Sequence, residues 1–294
     1  MNIISILKYI TNHPLNKDHK VNAILRFFKW QINTKLNPFP VVYPFTERSK
    51  LLVSRGMTGA TGNVYCGLHE YNDMFFLLHF LRKDDLFVDI GANVGSYTVL
   101  ASAHVGARSV TFEPVPVTYS IILQNININR INELVRPLNI ALGSKKDKIM
   151  FTSSYDTINH VVAKSENAEN AIEVMVDKLD NVLQGEQPSL IKIDVEGFET
   201  EVINGASEIL KNEKLKAIII ELNGSGERYG YNEDEIKSTL KANGFTPHIY
   251  DPVKRELKKI AEFGNENTIY IRDVQFVEER IKAAEKVKIL NNLI

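Results

Sequence analysis

The 294-residue sequence carries a single cysteine, Cys66, so no disulfide can form within it. That suits a reducing compartment. Free cysteines are commonly buried, and Cys66 reads first as a small core residue, with a thiol nucleophile as the competing reading. No apolar run approaches the roughly 18–20 residues of a membrane span. The run IISILKYI near the start is too short for a signal-peptide core and no small-residue cleavage site follows it. A cytoplasmic protein is expected. The formal net charge of −1 gives the whole chain no reason to bind nucleic acid, and there is no internal repeat or low-complexity tract.

What is present is ordinary in amount and uneven in place. Apolar residues make up 44% and charged residues 24%, enough for a stable globular core. Residues 1–50 hold eight Lys or Arg against only Asp18 and Glu47. Val21 to Ile32 has helical apolar spacing, with Ile24, Leu25, Phe28 and Ile32 on one side and Arg26 and Lys29 elsewhere. Two readings stand for this basic segment: it packs on the main domain with its charges solvated, or it touches an anionic membrane surface as a peripheral contact. We divide the chain into this accessory segment (1–60), a main domain (61–273) and a C-terminal helix (274–294).

Arg55 to Tyr71 contains four glycines and reads as loop, and Leu68 to Leu81 as an amphipathic helix. Leu86 to Leu100, LFVDIGANVGSYTVL, organises the rest. Leu86, Phe87, Val88 and Ile90 predict a buried strand, Gly91 and Gly95 a sharp turn, and Ser96 the cap of a helix. Strand and helix patterns then alternate. Strands are expected at Ser109–Phe112, Leu134–Ile140 (an edge, given Pro137), Leu190–Val195 and Ala217–Leu222. Asp234 to Asn243 reads as a helix stopped by Gly244, and Val274 to Leu293 as a charged helix. The fold class is α/β: a doubly wound, mostly parallel sheet with helices on both faces and an N-terminal accessory segment.

In such a sheet ligands bind beyond the carboxyl ends of the strands. The residues there are Asp89, Gly91, Asn93 and Gly95, then Glu113 and Pro114, then Asn139, Ile140 and Ala141, then Asp194 and Glu196, then Glu221 and Asn223. An acid about 20 residues past a glycine turn can accept bonds from both hydroxyls of a ribose. NAD enzymes use this feature too, and a dehydrogenase is the first alternative. The turn argues against it. Asn93 stands where the dinucleotide pattern needs its second glycine, and Asp89 suits a cationic head better than a pyrophosphate.

The stretches VDIGANVGSYT, TFEPVPVTY, QNININRIN, NIALG, IKIDVEGFETEVINGA and IIIELN together resemble the FkbM-type class I S-adenosylmethionine-dependent methyltransferases, in order and spacing. The resemblance implies a Rossmann-like methyltransferase domain that methylates hydroxyl groups on sugars or natural products. It implies that Asp89, Gly91, Ala92, Asn93, Gly95 and Ser96 surround the methionine part of the cofactor. Glu113 and Pro114 would hold the ribose, Asn139, Ile140 and Ala141 flank the adenine, Glu70 match an acidic position of the family, and Asp194 face the reaction centre. The long basic segment is outside that pattern. The partner expected is a small-molecule or saccharide acceptor. Nucleic acid is not expected, because the basic excess lies away from the cleft and no Asn-Pro-Pro-aromatic run occurs.

A sugar hydroxyl is a poor nucleophile and gains from a base or a metal. Asp194 is the first candidate base, Glu196 the next and His160 a third. Asp194 and Glu196 would face one side of a continuing strand and could bind a divalent cation. Against this, one of them could orient a helix N-terminus or hold the cofactor's amino group. His79 and His104 sit in helical patterns and read as packed residues. A cofactor-binding scaffold without turnover is the remaining alternative, disfavoured by intact residues at the strand ends.

Overall fold

The computed structural model describes residues 2–153, 159–163, 170–261 and 267–294. Its centre is an eight-stranded sheet. Five strands run parallel: β3 (Leu86–Ile90), β4 (Arg108–Phe112), β5 (Val135–Leu138), β9 (Leu190–Ile193) and β10 (Ala217–Glu221). β11 (Thr246–Asp251), β12 (Glu256–Lys259) and β13 (Asn267–Ile271) complete it in the order β12-β11-β13-β10-β9-β3-β4-β5, each paired antiparallel to its neighbour. The earlier strands β1 (Val41–Pro44) and β2 (Lys50–Val53) make a separate hairpin, and β6 (Ala141–Leu142), β7 (Asp147–Thr152) and β8 (Ala171–Asp177) a small second sheet. The sheet is α/β, mostly parallel, with Pro137 on the edge strand as expected.

Strand period sorts the core into two faces. Phe87, Leu190, Ala217 and Ile219 join one cluster; Val88, Val110, Ile191 and Ile218 join the other. All five residues of β3 are buried, and the strand order turns about this strand. The chain leaves β3 toward β4 and β5 on one side, then returns to β9 on the other. That reversal is where a crevice opens.

The helices differ from the sequence reading in four places. α3 (Thr58–Cys66) forms within the glycine-rich stretch, because Gly62 there serves packing and not a turn: a Cβ on it would lie 2.7 Å from the His69 ring. α4 (Tyr71–Phe80) is buried at every position from Met74 to Phe80, so it is a central helix and not an amphipathic one. α5 (Ser96–Val99) continues as a π-helical turn to Val105, and its N-cap is Gly95 in the left-handed region (φ 82°), not Ser96. The last helix, α11 (Val274–Lys282), is shorter than expected. Beyond it Leu290 adopts φ 54°, a tight hairpin closes, and Val287 and Ile294 exchange two backbone bonds. The helix α10 (Glu233–Ala242) does end before Gly244.

At the N-terminus, α1 (Ile3–Asn12) and α2 (Lys20–Leu36) pack on α3. Asn16 Nδ2 and Arg26 Nη2 both donate to the Tyr65 carbonyl, and Asn125 of α6 (Pro116–Asn129) accepts from Leu52 N. The inward face of α2 is Ala23, Phe27, Trp30 and Thr34, not the face of Leu25, Phe28 and Ile32. No helix among the described residues is long and apolar enough to cross a membrane.

Candidate active site

A cleft of about 250 Å³ opens at the carboxyl ends of β3, β4 and β9, close to the size range of small-molecule sites, about 300–1,000 Å³. Asp89, Gly91, Ala92, Asn93, Ser96, Glu113, Pro114, Ile140, Ala141, Glu70, Asp194 and Glu196 all line it. Three of the residues expected there do not. Gly95 caps α5. Asn139 donates from Nδ2 to the carbonyls of Glu113 and Pro114 and so braces the loop after β4. His160 lies beside the cleft residue Asn159 and donates its backbone N–H to Thr152 Oγ1. Residues 154–158 and 164–169 of its polar stretch are outside the described residues.

On the β3–β4 wall the carboxylates are tied to backbone. Thr98 donates its N–H (3.0 Å) and hydroxyl (2.7 Å) to Asp89 Oδ2, so this strand acid caps the helix that Ser96 leaves uncapped. Glu113 accepts from Asn93 N at Oε2 (3.0 Å) and from Val115 N at Oε1 (2.9 Å), which joins the glycine turn to the second strand end. Burial pushes its carboxyl up to about 8 despite those two donors. Each oxygen keeps a lone pair for a ligand hydroxyl. Gly91 (φ 78°) is held by contact as well as conformation: a Cβ there would run into the Asp194 carbonyl oxygen. The glycine turn and the end of β9 touch.

The β9–β10 wall is different. Lys192 is buried in the middle of β9, with 4% of its side chain exposed. Its ammonium donates to Asp194 Oδ2 at 2.7 Å and lies 4.8 Å from the Tyr97 ring centre. Burial opposes that charge, but Asp194, Glu70 and Asp89 around it hold the ammonium well above the lysine range. The Tyr97 hydroxyl is buried in the cleft wall beside Glu70, and burial pushes it well above the ordinary tyrosine value. Asp194 is therefore already paired. Among the described residues Glu196 and Glu221 make no ion pair, and burial followed by repulsion from Asp194 pushes each up to about 7. The turn carrying Glu196 is fixed by Glu199, whose Oε1 accepts from the N–H groups of Val195 (3.2 Å) and Gly197 (3.1 Å).

The strand ends at Ile193 and Glu196 adopts φ 54°, so Asp194 and Glu196 are not related by strand period. The divalent cation expected on that pair is not supported: among the described residues no three His, Cys, Asp or Glu side chains form a group that could hold one. Cys66 is buried and its thiol is pushed up to about 12 by burial, which leaves a core residue and not a nucleophile. His79 is fully buried with Nδ1 2.6 Å from the Tyr250 hydroxyl, and His104 bonds Thr46, both as packed residues. The residues that sequence reasoning missed are Lys192, Tyr97 and His69, which bonds Tyr9 of α1 at 3.0 Å; Glu221 was placed at a strand end but given no role. A lysine inside a four-residue apolar strand, with an acid two positions on, was the available signal for the first, because lysines are buried only when paired.

A family model for the methyltransferase FkbM domain matches residues 89–247, just over half of the chain. The chain belongs to the FkbM methyltransferase family, which implies S-adenosylmethionine as cofactor. It is 29% identical over 154 residues to the hexuronic acid methyltransferase AglP of Haloferax volcanii, covering 52% of this chain and 62% of that one. It is 25% identical over 195 residues to methyltransferase 1 of Beauveria bassiana, covering 58% of this chain and 75% of that one. A solved structure, methyltransferase FkbM from Methylobacillus flagellatus, is similar at 13% identity with a TM-score of 0.45, over 85% of this chain and 60% of that chain.

Proposed function

We propose that this protein transfers a methyl group from S-adenosylmethionine to a hydroxyl of a neutral saccharide, and that Glu196 is the general base. Residues 61–273 form the catalytic unit in this reading and residues 1–60 an addition to it. The cleft fits the cofactor on its own features. Gly91 leaves a cradle without a side chain, Glu113 keeps acceptor positions for a ribose, and Ile140, Ala141 and Phe151 offer apolar surface for a base ring. When bound, S-adenosylmethionine supplies an electrophilic methyl group; the residues align the acceptor, exclude water and take its proton.

The observation that carries the reading is the division of labour between two neighbouring carboxylates. Asp194 is paired with Lys192, whereas Glu196 lines the cleft with no ion pair among the described residues and only the more distant Arg228 acting on it. Its carboxyl, pushed up to about 7 by burial and Asp194, matches the basicity a general base needs near neutral pH. A Glu196 carboxylate oxygen would take the proton of the acceptor hydroxyl, whose oxygen would gain the methyl group as the donor's sulfur–carbon bond breaks and its electron pair stays on sulfur. Glu221 is a further acid on the same wall, raised by burial and Asp194 and only partly offset by Lys192 and the Asn223 amide. The wall therefore disfavours an acceptor with its own carboxylate, unlike the hexuronic acid named for the Haloferax relative.

Calorimetry with S-adenosylmethionine and with NAD tests the first part. Micromolar binding of the former and none of the latter is expected, and no binding of S-adenosylmethionine would overturn the reading. Labelled methyl transfer to neutral sugars should then exceed transfer to the matching uronic acids by at least about tenfold, since like charges in a closed site repel.

A further inference from the structure

The helix α2 is apolar on two opposite faces, and only one of them is covered. Ala23, Phe27, Trp30 and Thr34 pack inward. Val21, Leu25, Phe28, Ile32 and Leu36 recur on the outer face and are 70, 62, 43, 58 and 81% exposed. At 3.6 residues per turn these five fall within an arc of about 80°, opposite the packed face, along a helix about 25 Å long. None of the described residues covers them. Such a stripe is too continuous to be scattered surface apolarity.

Charge identifies the occupant. Lys29 and Lys35 flank the stripe on α2, with Lys20 at the start of the helix, Lys8 on α1 and Lys17 between the helices; all five are exposed and, among the described residues, none makes an ion pair. Neither helix contains an acid. On α1, Ile3 and Ile4 add exposed apolar surface of 53 and 73%. A second copy of this face would bring lysines against lysines. An anionic lipid surface satisfies both features at once, taking the apolar stripe into the acyl boundary and the ammonium groups among the headgroups.

We infer that α1 and α2 dock this protein on the surface of an anionic phospholipid bilayer through the Val21–Leu25–Phe28–Ile32–Leu36 stripe. The inference does not depend on the methyl-transfer reading. Docking would also place the cleft beside the bilayer, because Tyr9 of α1 bonds the cleft residue His69.

Sedimentation with vesicles of phosphatidylcholine alone, or with roughly one-quarter phosphatidylglycerol, tests it on the full chain. Binding to the anionic vesicles is expected to exceed binding to the neutral ones by at least about tenfold and to weaken with salt. Two variants should each lose that advantage: Leu25→Asp with Phe28→Asp and Ile32→Asp, and the five lysines changed together to Gln. The lysine variant leaves packing untouched and decides alone if the first does not fold. Equal binding to both vesicle types, or anionic binding unchanged in the lysine variant, would overturn the inference. So would a dimer in solution that the aspartate variant splits into monomers.

Discussion

The two walls of the cleft use carboxylates in opposite ways. On the β3–β4 wall, Asp89 and Glu113 spend their oxygens on the N–H groups of Thr98, Asn93 and Val115, and so fix the shape of the turn that carries Gly91. On the β9–β10 wall, Asp194 is matched to one buried lysine, while Glu196 and Glu221 make no ion pair among the described residues and feel Arg228 and Lys192 only at a distance. The first wall is preorganised by backbone. The second holds unspent electrostatic energy. A site that must bind one molecule firmly and deprotonate another needs both kinds, because rigidity without basicity gives binding alone.

The largest test of that contrast is Glu196→Gln. Turnover should fall by about 10³-fold while the affinity for S-adenosylmethionine changes by no more than about threefold, as expected for a lost general base. In the unsubstituted protein kcat should rise with pH through about 7, as Glu196 loses its proton, and the variant should lack that limb. Equal turnover in the two proteins would move the base elsewhere.

Lys192→Met leaves Asp194 half-buried without its partner. Breaking a buried pair from one side costs about 3 kcal/mol, read as a fall in denaturant midpoint. The double variant Lys192→Met with Asp194→Asn should recover much of that loss. If it does not, the pair is no unit.

A smaller effect is expected from pH. Glu113 is raised to about 8, and Glu196, Glu199 and Glu221 to about 7, chiefly by burial, against an ordinary value of 4.5. Each binds its proton more tightly folded than unfolded, so its contribution is full below about pH 4.5 and is lost as pH rises through 7 to 8. The histidines His13, His79 and His104 are lowered by burial, so they are neutral in both states above about pH 6.5. Tm of the ligand-free chain should therefore drop by a few degrees between about pH 6.5 and 8.5, and Glu221→Gln should flatten the drop. A Tm that rises over this range would refute the burial account.

Thr98→Val should have the smallest effect. It removes one hydroxyl donor from Asp89 and costs about 1 kcal/mol. A loss several times larger would mean that the first wall is as highly charged as the second.

The same contrast explains what the sequence made legible. Strands β3, β9 and β10 are short buried runs bounded by turns, and Pro137 placed its strand at an edge, so the sheet could be read from pattern alone. The β3–β4 wall was legible for the same reason, because its acids stand at fixed distances from a glycine turn. The second wall was half-legible. Asp194 and Glu196 were visible, but which of them is free depends on Lys192, and a lysine in a strand reads as solvent-facing until its partners are known. Glycines misled where they serve packing, as at Gly62, and apolar spacing could not say which of the two faces of α2 turns inward.

Gly91 and Asp194 meet with no room between them. The loop that would hold the methyl donor and the loop that would carry the proposed base are thus set to a common gauge, the thickness of a missing methyl group. Gly91→Ala would push the two apart without touching any acid, and a displacement of about an ångström at reacting atoms is enough to cost two orders of magnitude in rate. Alignment in this cleft is a property of their shared boundary.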